Sequence, residues 1–365
     1  MSAHPRLIVR DLRVRAVSVP MPLPLQTSNG TIGIAPLALI DLYTDAGVTG
    51  TAYLFCYTPL VLKPVVQMLG QLSQLIQGEP VSPIELDRKL RSRFRLLGCK
   101  GVVGMALAGI DMALWDALAR AQGIPLARAL GGELRRIPAY NSCGLGMIGP
   151  QRAAEQARHL VEPGFRAIKL RLGYADAAAD LAAVRAVRKA VGDEIVLMTD
   201  YNQALSVPEA AARIRVLDGE GLYWIEEPAL AEDYAGHARI RDEARTAIQM
   251  GENWWGTHEM AACVALGGSD YVMPDAMKIG GVTGWLKAAA IADAAGLPLS
   301  SHLFPELSVH LLAVSPSAHW LEYVDWATPI LQEPLEVHGG HATPPDAPGC
   351  NLTWDEAAVD RYLVV

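Results

Sequence analysis

Phe165-Arg-Ala-Ile-Lys-Leu170, Glu194-Ile-Val-Leu-Met-Thr-Asp200 and Leu222-Tyr-Trp-Ile-Glu226 are successive short apolar runs, and each leads into a stretch of helical, Ala-rich composition. The alternation continues through Ala247-Ile-Gln-Met-Gly-Glu252, Tyr271-Val-Met-Pro-Asp275, Pro298-Leu-Ser-Ser-His302 and Ala318-His-Trp-Leu-Glu322. With Ile137-Pro-Ala-Tyr-Asn-Ser142 in front, the runs number eight. Parallel strands need a helical crossover between them, so eight strand-like runs separated by helices predict a (β/α)8 barrel.

On the N-terminal side of the barrel the texture is different. Residues 7–20 and 36–55 read as strands, with Asp45-Ala46-Gly47 marking a tight turn inside the second stretch. Leu62–Ile76, Ile84–Leu97 and Val102–Gln122 carry apolar residues near a 3.6 period, with Gly98 and Gly123 as stops. Asp116 and Arg120 have the spacing of an exposed i,i+4 pair. This makes a compact α+β unit over residues 1–137, followed by the barrel over 138–330. The segment 331–365 returns to Gly, Pro and short strands and is expected to fold back onto the first unit.

Of the 365 residues, 51% are apolar and 19% charged, which excludes a disordered chain, a collagen and a pure coiled coil. A formal net charge of −8 offers no broad positive field for nucleic acid or an anionic membrane. The most apolar helical stretch, Met105–Leu118, is interrupted by Asp111 and Asp116, so no membrane span is expected. The five cysteines are scattered and form no CxxC pair, and the N-terminus shows no signal-peptide block, so the chain reads as cytoplasmic.

Polar residues end the barrel runs: Lys169, Asp200, Glu226, Glu252, Asp275, His302 and Glu322, spaced by 31, 26, 26, 23, 27 and 20 residues. In such a barrel the C-terminal ends of all strands meet at one mouth, so these side chains converge on a single cavity. Asp200, Glu226 and Glu252 would aim three carboxylates at one spot. All-oxygen ligands select a hard cation, and Mg2+ suits them better than Zn2+. Asp275 and His302, one strand apart, have the arrangement of an acid that fixes an imidazole tautomer and raises its basicity. Glu322, after Trp320-Leu321, is a candidate protonated acid donating to a substrate carboxylate as it becomes an enediolate.

Together, Ala108-Gly-Ile-Asp-Met-Ala-Leu-Trp-Asp-Ala, Thr199-Asp-Tyr-Asn-Gln, Trp224-Ile-Glu-Glu-Pro, Gln249-Met-Gly-Glu-Asn-Trp, Met273-Pro-Asp-Ala-Met-Lys-Ile-Gly-Gly, Ser300-Ser-His-Leu-Phe and His319-Trp-Leu-Glu carry a specific resemblance. From Leu7 to Val364 the chain resembles the mandelate racemase subgroup of the enolase superfamily. The resemblance implies an α+β capping domain, completed by the C-terminal segment, over a modified (β/α)8 barrel. It implies one Mg2+ per subunit on Asp200, Glu226 and Glu252, the Asp275–His302 dyad as base, and Glu322 and Lys169 at the substrate carboxylate. It further places Ser142 and Asn202 in contact with substrate, with Leu25, Asn29 and Ile32 in a mobile specificity loop near Tyr57 and Leu96. Ser28-Asn29-Gly30 would be the tip of that lid. Relatives of this kind are commonly octameric, so a homo-oligomer is implied.

The racemase pattern places Lys-x-Lys after the second barrel strand, the second lysine being the base for the opposite substrate face. Here the residues are Lys169-Leu170-Arg171. A guanidinium is a poor proton abstractor, which puts racemisation in doubt. A one-base dehydration of a hydroxy or sugar acid needs only His302, with Arg171 as a charge clamp and Asn29 as a polar handle. Against this, Leu25, Ile32, Leu96 and Leu303 keep an apolar pocket suited to an aromatic 2-hydroxy acid, so a mandelate-type racemase is the alternative. Two further readings are a non-catalytic acid-binding barrel and a Schiff-base aldolase using Lys169 or Lys278. The intact dyad opposes the first, and the three carboxylates, which would raise a lysine pKa, oppose the second.

Overall fold

The computed structural model describes residues 7–364. β1 (Val9–Thr27) and β2 (Gly30–Thr44) form a long antiparallel hairpin, and β3 (Thr49–Phe55) pairs with β2. Strand structure therefore continues through residues 21–35, which the sequence reading left outside its strands. The register shifts between Pro20 and Leu25, where Pro20, Pro22 and Pro24 have no N–H to give to the ladder. Beyond that bulge the hairpin tightens to a two-residue turn at Ser28-Asn29, so the expected loop is a strand-backed tip.

Three helices cover this sheet: α1 (Pro59–Ile76), α2 (Pro83–Arg93) and α3 (Gly101–Gln122). α2 stops four residues short of the expected Leu97, and a turn through residues 94–97 carries the chain to α3. α3 is long and apolar enough to cross a membrane, yet 89% of its most apolar window is buried inside the protein. At Gly50 on β3 a β-carbon would come within 2.1 Å of the Ala113 carbonyl, so the close strand–helix approach requires glycine there. Asp116 is fully buried and accepts from the backbone N–H of Thr51 (2.8 Å) and Cys350 (2.7 Å) while pairing with Arg120. The i,i+4 pair expected on the surface is instead a buried staple holding β3, α3 and the C-terminal segment, because its carboxylate satisfies backbone donors from both.

The barrel strands are β4 (Ile137–Asn141), β5 (Ala167–Arg171), β6 (Val196–Asp200), β7 (Trp224–Glu226), β8 (Ala247–Met250), β9 (Tyr271–Val272) and β10 (Leu321–Tyr323). Neighbours from β4 to β9 pair in parallel, and β10 closes the ring on β4. The seventh run contributes isolated bridges, Val272 to Leu299 and Leu299 to Ala318, in place of a full strand. After β10 a 3-10 turn, Thr328–Ile330, stands where an eighth packing helix would, and the last helix, Glu356–Tyr362, comes further along the chain.

The C-terminal segment splits its contacts. A short hairpin, Val337–His338 with His341–Ala342, pairs with β4, and the chain then crosses to the first unit through a Val17–Leu363 bridge. There Trp354 Nε1 donates to Asp41 (2.7 Å), and Arg15 pairs with both Asp41 and Glu356.

Candidate active site

Lys169 and Arg171 alternate along β5 and leave it on one face, and the register sets Arg171 beside Asp200 and Asp200 beside Glu226. Glu252 lies just past β8. Asp275 caps the helix Ala276–Ile279, accepting from the N–H groups of Met277 (2.8 Å) and Lys278 (3.0 Å). His302 is bridged in parallel to Asp275, and Glu322 is the central residue of β10. None of these side chains belongs to a residue more than 8% exposed, although every one is ionisable. Such burial costs stability unless the charges serve one another or a ligand.

Asp200, Glu226 and Glu252 each bring a carboxylate oxygen within 4.8 Å of the other two. Burial raises the Asp200 and Glu226 carboxyl groups above their ordinary range, more than Lys169 offsets. At Glu252 burial acts the same way, but His302, Lys278 and Lys169 outweigh it and hold the group down. A buried set of three oxygen donors, without sulfur or imidazole, fits a hard divalent cation such as Mg2+.

His302 Nδ1 lies 2.7 Å from Asp275 Oδ2, which leaves Nε2 toward the cavity, 3.3 Å from Glu252 and 3.9 Å from Glu322. Burial alone would lower the imidazole pKa; Glu252, Glu322 and Asp275 outweigh it, and the net direction is upward.

Lys169 Nζ sits between Glu226 (2.7 Å) and Glu322 (2.8 Å), with Asp200 at 3.6 Å. Burial disfavours its charge, but these carboxylates win and keep it an ammonium. Glu322, expected as an acid at the substrate carboxylate, lies beside this ammonium. Its carboxylate accepts from Ser142 Oγ (2.7 Å) and the Leu303 N–H (2.9 Å), besides meeting Lys169. Burial pushes its pKa up, but Lys169 and His302 push it further down, and both of its oxygens accept hydrogen bonds in this arrangement.

Arg171 is tied down by its neighbours. Nη1 donates to the carbonyls of Ser142 (2.8 Å), Gly144 (3.1 Å) and Lys169 (3.4 Å), and Nη2 to Ser142 Oγ (2.7 Å). Nε is buried without a partner, 3.9 Å from Asp200. Ser142, expected to touch substrate, is instead fully buried between Arg171 and Glu322 and does not line the cavity. Its hydroxyl bridges two fixed side chains, accepting from Arg171 and donating to Glu322.

The cavity at this mouth holds about 230 Å3. Its apolar wall is Leu25, Ile32, Phe55, Leu303 and Trp326; Tyr57, Asn29 and Asn202 also line it. Asn29 spends its amide on the Asn202 carbonyl (2.9 Å), so the expected polar handle works first as a latch of the hairpin tip onto the loop after β6. Asn202 itself binds Asp200 through both backbone N–H (2.7 Å) and side-chain amide (2.9 Å). Leu96 is not part of the wall: it is fully exposed in the turn after α2, because the helix ends early and its side chain faces outward. A larger cleft of about 810 Å3, lined by Arg91, Lys100, Trp255 and Lys287 among others, contains none of the ionisable residues at the strand ends.

Sequence reasoning missed Phe55, Trp326 and the array beside the carboxylates. In that array Asn253 donates to Glu227 (2.7 Å) and Glu252 (3.1 Å) and accepts from Lys278 Nζ (2.6 Å). The adjacency of Glu226 with Glu227, and of Glu252 with Asn253, was the available signal. Phe55 and Trp326 gave none, since they reach the mouth from outside the barrel strands, Phe55 from the end of β3 and Trp326 from the loop after β10.

Comparison with known proteins agrees with this geometry. Residues 9–131 match the family model described as mandelate racemase/muconate lactonizing enzyme, N-terminal domain, and residues 152–358 the model described as enolase C-terminal domain-like. The L-talarate/galactarate dehydratase of Salmonella typhimurium is 35% identical over 79% of this chain and 73% of its own. A solved Bradyrhizobium enolase complexed with magnesium and mandelic acid is 45% identical with a TM-score of 0.95, covering 100% of both chains. The L-talarate dehydratase of Polaromonas, complexed with Mg and L-glucarate, is 30% identical with a TM-score of 0.89 over 98% of both. The chain belongs to the mandelate racemase/muconate lactonizing enzyme family of the enolase superfamily.

Proposed function

We propose that this protein is a Mg2+-dependent dehydratase of a 2,3-dihydroxycarboxylate of the sugar-acid class, working with a single base. The observation that carries the reading is the state of the cavity's basic groups. Lys169 is held between Glu226 and Glu322, and Arg171 is a tethered guanidinium. Only His302, backed by Asp275, is left able to take a proton from carbon.

Asp200, Glu226 and Glu252 would hold the Mg2+, which supplies positive charge to the carboxylate end of the substrate as negative charge builds there. Lys169 adds a fixed cation on the same side. His302 Nε2 removes the C2 proton to give the enediolate, then returns that proton to the departing C3 oxygen, which leaves as water. The enol so formed tautomerises to a 2-keto-3-deoxy acid. Similarity to sugar-acid dehydratases from Salmonella, Thermoproteus and Ralstonia supports the substrate class. The test is incubation with Mg2+ and a panel containing galactarate, D-gluconate and D-galactonate, with 2-keto acid assayed as its semicarbazone. Keto acid from at least one member is expected; none from any sugar acid would refute the reading.

A second reading, racemisation of an aromatic 2-hydroxy acid, is favoured by the apolar wall and by the mandelic acid in the Bradyrhizobium structure. It requires a second base, and the candidates are Lys169, paired with Glu226 and Glu322, and Arg171, whose guanidinium is a poor proton abstractor. We further propose a cytoplasmic homo-oligomer: all five cysteines stand as free thiols, and the exposed Leu60, Leu96 and Leu97 offer apolar contact surface.

A further inference from the structure

Trp224 and Glu226 stand two residues apart on β7, so strand alternation turns both side chains to the same face, toward the barrel interior. Trp224 is fully buried, and its ring meets that of Tyr140 on β4 edge-on, with centroids 5.4 Å apart and planes at 84°. The Lys169 ammonium stands over the Tyr140 ring, 5.5 Å from its centroid. The Lys169–Glu226 pair thus rests on two touching aromatic rings, one against each partner. Tyr223 and Tyr271 pack on the indole as well, at 5.4 and 6.3 Å.

The indole has a single polar hydrogen and spends it on a carboxylate of the metal set. Nε1 donates to Glu226 Oε2 at 3.2 Å, while Glu226 Oε1 accepts from Lys169 at 2.7 Å. Lys169 cannot orient this carboxylate alone, because its ammonium is a point charge shared with Glu322 (2.8 Å) and Asp200 (3.6 Å). The ring of Trp224, locked by its packing, is a rigid donor. It is also a neutral one, so it directs Glu226 without cancelling the charge that a cation needs. Asp200 and Glu252 have neutral N–H donors of their own, from Asn202 (2.7 and 2.9 Å) and Asn253 (3.1 Å).

We propose that Trp224 is a positioning residue of the cation site: its indole N–H holds Glu226 in the orientation that Mg2+ requires, from a place in the barrel interior that does not line the substrate cavity. A ligand already held at both oxygens has less freedom to lose when the ion binds, and donors to metal-binding carboxylates are worth about 10–100-fold in metal affinity. The inference rests on the assignment of Asp200, Glu226 and Glu252 to Mg2+ and is independent of which acid the enzyme dehydrates.

The test is calorimetric titration of Mg2+ into the full-length protein without substrate. Trp224→Phe, which keeps an aromatic ring and removes the donor, should weaken Mg2+ binding by about 10–100-fold. Benzothienylalanine in place of Trp224 keeps the shape of the fused ring and puts sulfur where the N–H was; it should show the same loss, and it decides the matter where Trp224→Phe fails to fold. Tyr223→Phe drops a bond to His319 (2.7 Å) in the same aromatic layer but leaves the indole, and should bind Mg2+ within about 3-fold of wild type, well inside the loss expected at Trp224. Wild-type affinity in a folded variant at Trp224, or an equal loss in Tyr223→Phe, would overturn the proposal. Failure of the metal assignment shows separately, as wild-type protein that binds no Mg2+, and takes the proposal with it.

Discussion

Arg171 binds Ser142 twice, through the backbone carbonyl at 2.8 Å and the hydroxyl at 2.7 Å, and the same hydroxyl donates to Glu322. The residue that departs from the racemase pattern is therefore built into the positioning of Glu322 and, through it, of Lys169. A lysine has one point of attachment and cannot reproduce a fork that serves four acceptors. Arg171→Lys should lower kcat/KM about tenfold or more and cost about 1–3 kcal/mol of stability, as read by steady-state kinetics and urea denaturation.

Removing the base should separate binding from chemistry. His302→Asn is expected to cut C2 proton exchange by about 10²–10⁴-fold while Mg2+ still raises the melting temperature, because the three carboxylates remain. Exchange persisting at the wild-type rate would mean another group takes the proton.

Metal binding should be visible in stability without any substrate. A cation that binds only the folded state stabilises it by mass action, so Mg2+ should raise the melting temperature of the wild type and leave that of Asp200→Asn nearly unchanged. Differential scanning fluorimetry with and without excess chelator reads both.

Acid should destabilise the fold through buried imidazoles. Burial pushes His310 and His319 down to about 4, whereas in the unfolded chain each titrates near its ordinary value, close to 6.5. Their contribution is fully present above about pH 6.5 and is lost as pH falls toward 4, by up to about 1.4 kcal/mol per pH unit for each. His310→Gln should flatten that slope relative to wild type in denaturation series at pH 7, 6 and 5.

Gly50→Ala tests the packing of β3 on α3. Its methyl group would meet the Ala113 carbonyl at 2.1 Å, and backbone cannot yield as a side chain does. A loss of about 1–3 kcal/mol is expected, measured as a lower denaturation midpoint.

The barrel and its ring of ionisable residues were legible because period and position coincide: each strand ends where the chemistry sits, and Asp200, Glu226, Glu252, Asp275 and His302 could be placed by spacing alone. Charge states were not legible. Whether Glu322 is a proton donor depends on Lys169, Ser142 and Leu303, which reach it from three different segments. The same applies to Asn29, whose amide turned to the Asn202 backbone, a contact across 173 residues that no local pattern signals. Leu96 was placed by likeness to a family, and the early end of α2 puts it on the surface of this chain.

The central claim is that one base works in this cavity, and the most direct measurement is stereochemical. Protein with Mg2+ in deuterium oxide is mixed separately with each C2 epimer of the sugar acid it dehydrates, and with each enantiomer of mandelate, and the C2 proton is followed by NMR. The account predicts exchange of one epimer only, accompanied by 2-keto acid. Exchange of both epimers, or interconversion of the mandelate enantiomers, would show a second working base and contradict it.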